Sequence, residues 1–421
     1  MTGLAVVAAV FAIYSLVASR LDRLSVTAPI VFLVTGAILG PAGLGWLSLT
    51  LEAEPSTLLL ELTLAILLFT DASTVSVGDA EEDARFPARL LLLGLPLTIA
   101  LGAVLAVLLF PAEGWAMAAV IAVILAPTDA ALSLPLLTNT AIPARVRRVL
   151  NIESGLNDGI ATPFLTFFLA VAVAAGDLGS HNWALETVAG IGLAVVVAVL
   201  VGGIGGWLLA RTRRRGWTTA ISEHLAVVAL ALLAYGASTA VGGNGFVAAF
   251  AAGIAFRTAS GGGLREAAEF GETLGLFGSF LVWVLFGTAV AGPIIAQGLE
   301  LEPILYAVLS LTAVRMLPVA IALFRSGLRP DTVALVGWFG PRGLASVVFG
   351  IIAFEALQGA GLVADTLIVV VAWTIVLSVL AHGLSAGPLA RLFARRMARA
   401  SPDALELAQA PEPRLRRHGL A

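Results

Sequence analysis

Apolar runs of roughly 20 residues recur along the whole of this 421-residue chain, separated by short clusters of glycine, proline and charge. A run of that length, wound as a helix, matches a hydrocarbon layer about 30 Å thick. Only 12% of the residues are charged and the mean hydropathy is +1.00, whereas soluble domains carry about 25% charged residues. In lipid every backbone N–H and C=O must be satisfied inside the protein, which leaves helices or closed barrels. A barrel reads as alternating segments of about ten residues, and these runs are continuous. The expected fold class is therefore all-α, a polytopic membrane protein. The chain has no cysteine, which excludes disulfides and thiolate metal sites. Its four histidines, His181, His224, His382 and His418, include no pair at metal-ligand spacing on one helix face.

The runs predict about thirteen spans, near 3–20, 26–40, 56–77, 88–110, 115–138, 149–175, 185–210, 220–241, 245–257, 273–297, 302–324, 331–355 and 364–390. The second and ninth are short, as expected of helices that are tilted, packed inside protein or not full spans. All 24 basic residues are arginine, and 22 of them fall in alternate loops: after helices one, three, five, seven, nine and eleven, and in the tail from Arg391. The positive-inside rule then puts the N-terminus outside and the C-terminus in the cytoplasm, which needs an odd number of spans. The first run has no basic residue before it and Arg20 after it, so it reads as a retained span. Residues 1–399 read as one transmembrane domain, and the Pro- and Ala-rich stretch 400–421 as a short disordered cytoplasmic tail. Gly202 to Gly206 offers a surface for close packing.

Ionisable groups at membrane depth cost several kcal/mol on insertion scales, so they normally face protein or a water-filled cavity. Seven stand inside apolar runs: Glu61, Asp71, Asp129, Glu153, Asp158, Arg315 and Arg342. In helix five, Pro127 interrupts the run just before Thr128 and Asp129. Proline removes a backbone donor, and unwound backbone at mid-membrane exposes carbonyls that a cation can use. A plain proline kink with a hydrogen-bonded aspartate is the blander reading. In helix six, Ser154, Asn157 and Asp158 share one face by i, i+3, i+4 spacing, with Glu153 on its flank. Mixed oxygen donors of this kind suit a hard cation, though a polar seam gluing helices together is the alternative. In helix twelve, Gly340-Pro341-Arg342-Gly343 predicts a second break. If helices one to six and eight to thirteen are two inverted repeats, the breaks fall at matching places and cross at mid-membrane. Arg315, central in helix eleven, needs a carboxylate. Glu153 is favoured over Asp129 and Asp158, because a proton carrier locked to an arginine cannot release and rebind its proton.

Together these segments resemble the NhaP-like sodium/proton antiporters of the monovalent cation/proton antiporter superfamily, over roughly residues 3 to 395. The most specific part is Glu153 to Gly159, which is similar to the family's Glu-Ser-x-x-Asn-Asp-Gly stretch. The resemblance implies that Asp158 binds cation and proton alternately and that Asn157 supports it. It implies further that Ser154, Thr128 and Asp129 contribute coordination, that Asp71 is the carboxylate near the end of helix three, and that Glu153 pairs with Arg315. Arg342 resembles the arginine that stabilises the second broken helix. Two features depart from the family pattern: Pro127-Thr128-Asp129 replaces its Asp-Pro order, and Asp71 stands where many members have glutamate.

The function implied is exchange of Na⁺, with Li⁺ as a second candidate cargo, for H⁺ across the inner membrane. A homodimer is implied, with no cofactor beyond the transported ions, no enzymatic activity and no nucleic-acid partner. Asn157 before Asp158, without a second acid or a lysine, resembles the electroneutral branch, one Na⁺ per proton. The Na⁺ would sit at Asp158, Asp129, Thr128 and Ser154. A K⁺/H⁺ antiporter is the main alternative and a passive cation channel a weaker one. An intramembrane hydrolase lacks a Gly-x-Ser-x-Gly context.

Overall fold

The computed structural model describes residues 2–24, 26–49, 54–74, 81–129, 131–176 and 183–408, and all regular structure among them is helical. Nine of the described helices are long and apolar enough to cross a membrane: Gly3–Leu21, Pro55–Thr74, Ala84–Leu109, Ala144–Ala174, Leu185–Arg214, Ala220–Ala240, Arg265–Gln297, Leu301–Ala322 and Asp365–Met397. Four shorter apolar helices, Ala28–Leu39, Pro111–Ile124, Gly245–Ser260 and Leu344–Gly359, fall between them. In chain order these are helices one to thirteen. The short ones are the second, fifth, ninth and twelfth. Helices two and nine are packed inside the protein, helix two against helix ten and helix nine among helices three, seven and eight.

Helices five and twelve are short because each is broken. Helix five stops at Ile124 and resumes as a 3₁₀ turn, Ala131–Ser133, followed by Leu134–Leu137. Helix twelve has a first half, Pro330–Trp338, then non-helical backbone to Gly343, then Leu344–Gly359. The second break opens with an inverse γ-turn: Phe339 has φ −79° and ψ 61°, and Gly340 N–H donates to the Trp338 carbonyl at 2.8 Å. Pro127 and Pro341 deny each helix the donor that would carry it through.

Glycine sets how closely the helices approach. A Cβ on Gly253 of helix nine would stand 2.3 Å from the Phe69 carbonyl oxygen of helix three, and one on Gly36 of helix two 2.3 Å from the Val284 carbonyl of helix ten. The 202–206 run is used inside the chain: Cβ atoms at Gly202 and Gly206 would meet the carbonyls of Ala252 and Phe256 at 2.2 and 2.7 Å, whereas Gly203 faces open space. Gly253→Ala is therefore expected to pry helices three and nine apart at a cost of about 1–3 kcal/mol. Gly203→Ala should be neutral, and unfolding temperatures in detergent compare the two.

The reading of 400–421 as a disordered tail needs correction for its first part. Leu405–Leu407 form a 3₁₀ turn, and Glu406, only 1% exposed, accepts hydrogen bonds from Arg329 N and Thr332 Oγ1, each at 2.8 Å. Its carboxylate thus satisfies the N-terminal end of the first half of helix twelve, and Leu405 packs against the hydrophobic cluster that includes Leu335, Val336 and Phe393. Bulk composition could not register one Leu-Glu pair that docks. Residues 409–421 lie outside the described residues.

Candidate functional site

The two breaks meet. Asp129 N–H donates to the Pro341 carbonyl at 2.8 Å, joining the unwound backbones directly. Breaking two helices exposes two positive N-terminal ends and two negative C-terminal ends at one depth. Asp129 answers the first pair: Oδ1 accepts from Ala131 N at 2.7 Å and Oδ2 from Leu344 N at 3.1 Å. Arg342, fully buried, answers the second. Its Nη1 donates to the carbonyls of Ala126, Pro127 and Gly340 at 3.2, 3.4 and 3.1 Å, and its Nη2 to Ser310 O at 3.4 Å. One carboxylate and one guanidinium therefore neutralise the crossing. Gly343 makes this possible, because a Cβ there would lie 2.0 Å from Asp129 Oδ2. Gly343→Ala should push Asp129 off Leu344 N and lower the unfolding temperature in detergent, with little loss of helix content by circular dichroism.

Helix six is tied to the crossing through Thr128. Ser154 Oγ donates to the Thr128 carbonyl at 2.7 Å, and Asn157 Nδ2 donates to Thr128 Oγ1 at 2.6 Å. Asn157 is 2% exposed, and its Oδ1 is buried with no hydrogen-bond partner among the described residues. An amide oxygen so placed normally has a partner, and it is an oxygen donor of the kind a hard cation takes. Arg315 Nη1 lies 2.7 Å from Glu153 Oε1, both side chains 3% exposed. Arg315 also lies flat against the second break, where a Cβ on Gly340 would meet its Nε at 2.3 Å. Asp158 is half-buried on the same helix face as Ser154, and the Phe250 ring of helix nine covers the adjoining Gly159. Asp71, 8% exposed, sits in helix three, which packs against helix six.

A family model described as sodium/hydrogen exchanger, transmembrane, matches residues 6–392. The chain belongs to this family. Among its relatives, a Na⁺/H⁺ antiporter of Schizosaccharomyces pombe is 26% identical over 346 residues, covering 71% of each chain. A K⁺/H⁺ antiporter, NhaP2 of Shewanella sp. strain ANA-3, is 29% identical over 253 residues, 59% of this chain. The matched stretch spans 42% of that relative's length. In fold, the chain superposes on the sodium proton antiporter MjNhaP1 of Methanocaldococcus jannaschii with a TM-score of 0.73 at 20% identity, covering 94% of this chain and 99% of the other.

Within this exchanger-family fold, several polar residues support the site that the sequence did not single out. Ser346 Oγ donates to the Ile124 carbonyl at 2.7 Å, taking one of the orphan carbonyls at the end of helix five. Ser378 and His382 of helix thirteen reach the helix-twelve break. Toward the other end of helix three, Thr57 Oγ1 donates to Glu355 of helix twelve at 3.1 Å, and Glu61, one of the seven ionisable groups marked in the sequence, shares a hydrogen bond with Tyr235. A lone serine or histidine in an apolar run carries no signal of its own. What could have marked Ser378 and His382 is their i, i+4 spacing, which puts both on one helix face.

Proposed function

We propose that the protein is a secondary antiporter exchanging Na⁺ for H⁺ across the cell inner membrane, one for one, by competition of the two ions for Asp158. The observation that carries this reading is the junction of two broken helices with the Glu153–Asp158 segment, in which Glu153 is committed to Arg315. Asp158 is then the carboxylate of that segment that exchanges its proton. When Asp158 gives up its proton, the carboxylate takes a cation in its place, and rebinding of a proton releases the cation. One group cannot hold both, so each ion that moves one way obliges the other to move back.

The cation is held by Asp158 with Ser154 and with Asn157 Oδ1, on the side of helix six that meets Thr128 and Asp129. Asp129 keeps lone pairs beyond its two backbone bonds, and Asp71 lends negative charge from helix three. Alternating access then moves the crossing and helix six together relative to the rest of the bundle. The protein works as a homodimer, with its N-terminus outside and its C-terminus in the cytoplasm. It needs no cofactor. Exchange of K⁺ for H⁺ is the second reading, favoured by the Shewanella relatives that bear that name.

Dissipation of a pH gradient in proteoliposomes on adding Na⁺, K⁺, Li⁺ or choline separates these outcomes. Collapse by Na⁺ and Li⁺ but not K⁺ or choline supports the first reading, and collapse by K⁺ alone the second. A rate that follows an imposed membrane potential contradicts one-for-one exchange. No response to any cation from folded protein overturns antiport altogether.

A further inference from the structure

The histidine of helix thirteen takes no part in the mechanism above, yet it is fully buried beside the second break. Its Nε2 lies 2.9 Å from the Trp338 carbonyl, the last residue before the break. One turn earlier, Ser378 Oγ accepts from Arg342 N–H at 2.6 Å and lies 3.3 Å from His382 Nδ1. Nδ1 is also 3.0 Å from the Ser378 carbonyl, so it finds partners on its own helix in either protonation state. Nε2–H is the group that reaches across. A single relay thus runs from the N–H of residue 342, through Ser378 and the imidazole, to the C=O of residue 338. The indole of Trp338 adds to the hold, donating to Ser385 Oγ at 3.0 Å with its ring 5.0 Å from the imidazole.

We propose that Ser378 and His382 are positioning residues that clamp both ends of the helix-twelve break and, through it, set the cation site. The path is continuous. Residues 338–342 fix Pro341, whose carbonyl holds Asp129 N–H, and the next residue back, Thr128, holds Ser154 and Asn157. Without the clamp the backbone between Trp338 and Gly343 keeps its internal turn but loses its anchor to helix thirteen. The carbonyl of Trp338 then has only Gly340 N–H, and Arg342 N–H has no acceptor in a place that water does not reach.

The transport readout of this proposal rests on the antiport reading, so the test carries a second readout that does not. Full-length wild type, His382→Gln, His382→Asn, His382→Leu and Ser378→Ala are compared in proteoliposomes. Half-saturating cation concentration and maximal rate are measured, together with amide hydrogen exchange at residues 340 and 342. Glutamine places an amide N–H where Nε2 stood, whereas asparagine mimics only Nδ1 and falls short of Trp338. His382→Asn, His382→Leu and Ser378→Ala are expected to raise the half-saturating concentration about tenfold, the scale of one buried hydrogen bond lost. Their maximal rates should change less, and their amides at 340 and 342 should exchange faster. His382→Gln should stay within about threefold of wild type by the same scale. Should His382→Leu fail to fold, the Gln and Asn pair decides alone. Equal behaviour of Gln and Asn, in affinity and in exchange, overturns the clamp. If wild type dissipates no gradient with any cation, the antiport reading falls, while exchange at 340 and 342 still judges the clamp.

Discussion

Asp158→Asn reconstituted into liposomes is expected to leave an imposed pH gradient intact on addition of any cation, at the level of protein-free vesicles. Asparagine keeps the shape of the side chain and a carbonyl oxygen, so fold and helix packing should survive. What it lacks is a group that ionises. The loss should therefore be complete, with the unfolding temperature in detergent close to that of wild type. Asn157→Ala makes the instructive comparison. It deletes a buried oxygen with no partner among the described residues and the hydrogen bond that the amide N–H donates to Thr128, so affinity should fall while proton exchange persists. A variant pair that loses activity equally would place the chemistry in the whole polar face of helix six and not in one carboxylate.

Arg315→Leu and Glu153→Leu are each expected to destabilise the protein by about 3–5 kcal/mol, because each strands its partner as an uncompensated buried charge. Both side chains are 3% exposed, so neither survivor can turn to water. The double Leu variant should recover most of that loss, since an apolar pair often matches or exceeds a buried ion pair in stability. Unfolding temperatures of the four proteins in one detergent close this cycle. Additive losses would mean that the two residues do not act as a pair. Transport by the double variant is a separate matter: Arg315 also lies against Gly340, so its removal frees one wall of the second break even where stability returns.

The architecture was legible in the sequence for a simple physical reason. Lipid admits only helices or closed barrels, the continuous apolar runs exclude a barrel, and thirteen runs could be read between polar clusters. Their ends were less legible. Hydropathy places helix six from 149, helix ten from 273 and helix thirteen only to 390. The helices run Ala144–Gly176, Arg265–Gln297 and Asp365–Met397. Backbone hydrogen bonding does not stop where the hydrocarbon ends, so charged turns extend the helix beyond the apolar run. The breaks in helices five and twelve were visible because proline has a local effect. The juxtaposition of Glu153 and Arg315 followed from the need of a buried arginine for a carboxylate, and elimination chose among three.

The capping of the crossing was not legible. Asp129 was read as an ion ligand from its side-chain oxygens, and nothing in the local sequence tells that two helix N-termini converge on it. The anchors supplied by Ser346, Ser378 and His382 were invisible for the same reason: each satisfies a backbone group at a distant position in the chain. Glu406 shows the converse limit. A Pro- and Ala-rich tail hides one carboxylate that caps a half-helix seventy-odd residues before it.

The most direct test of the central claim is proton release on cation binding, measured with purified protein in weakly buffered detergent solution. Competition for Asp158 predicts that saturating Na⁺ displaces one proton per chain near the pH at which transport is half-maximal, and that Asp158→Asn releases none. Cation binding by wild type without proton release, or undiminished release from Asp158→Asn, would contradict the account.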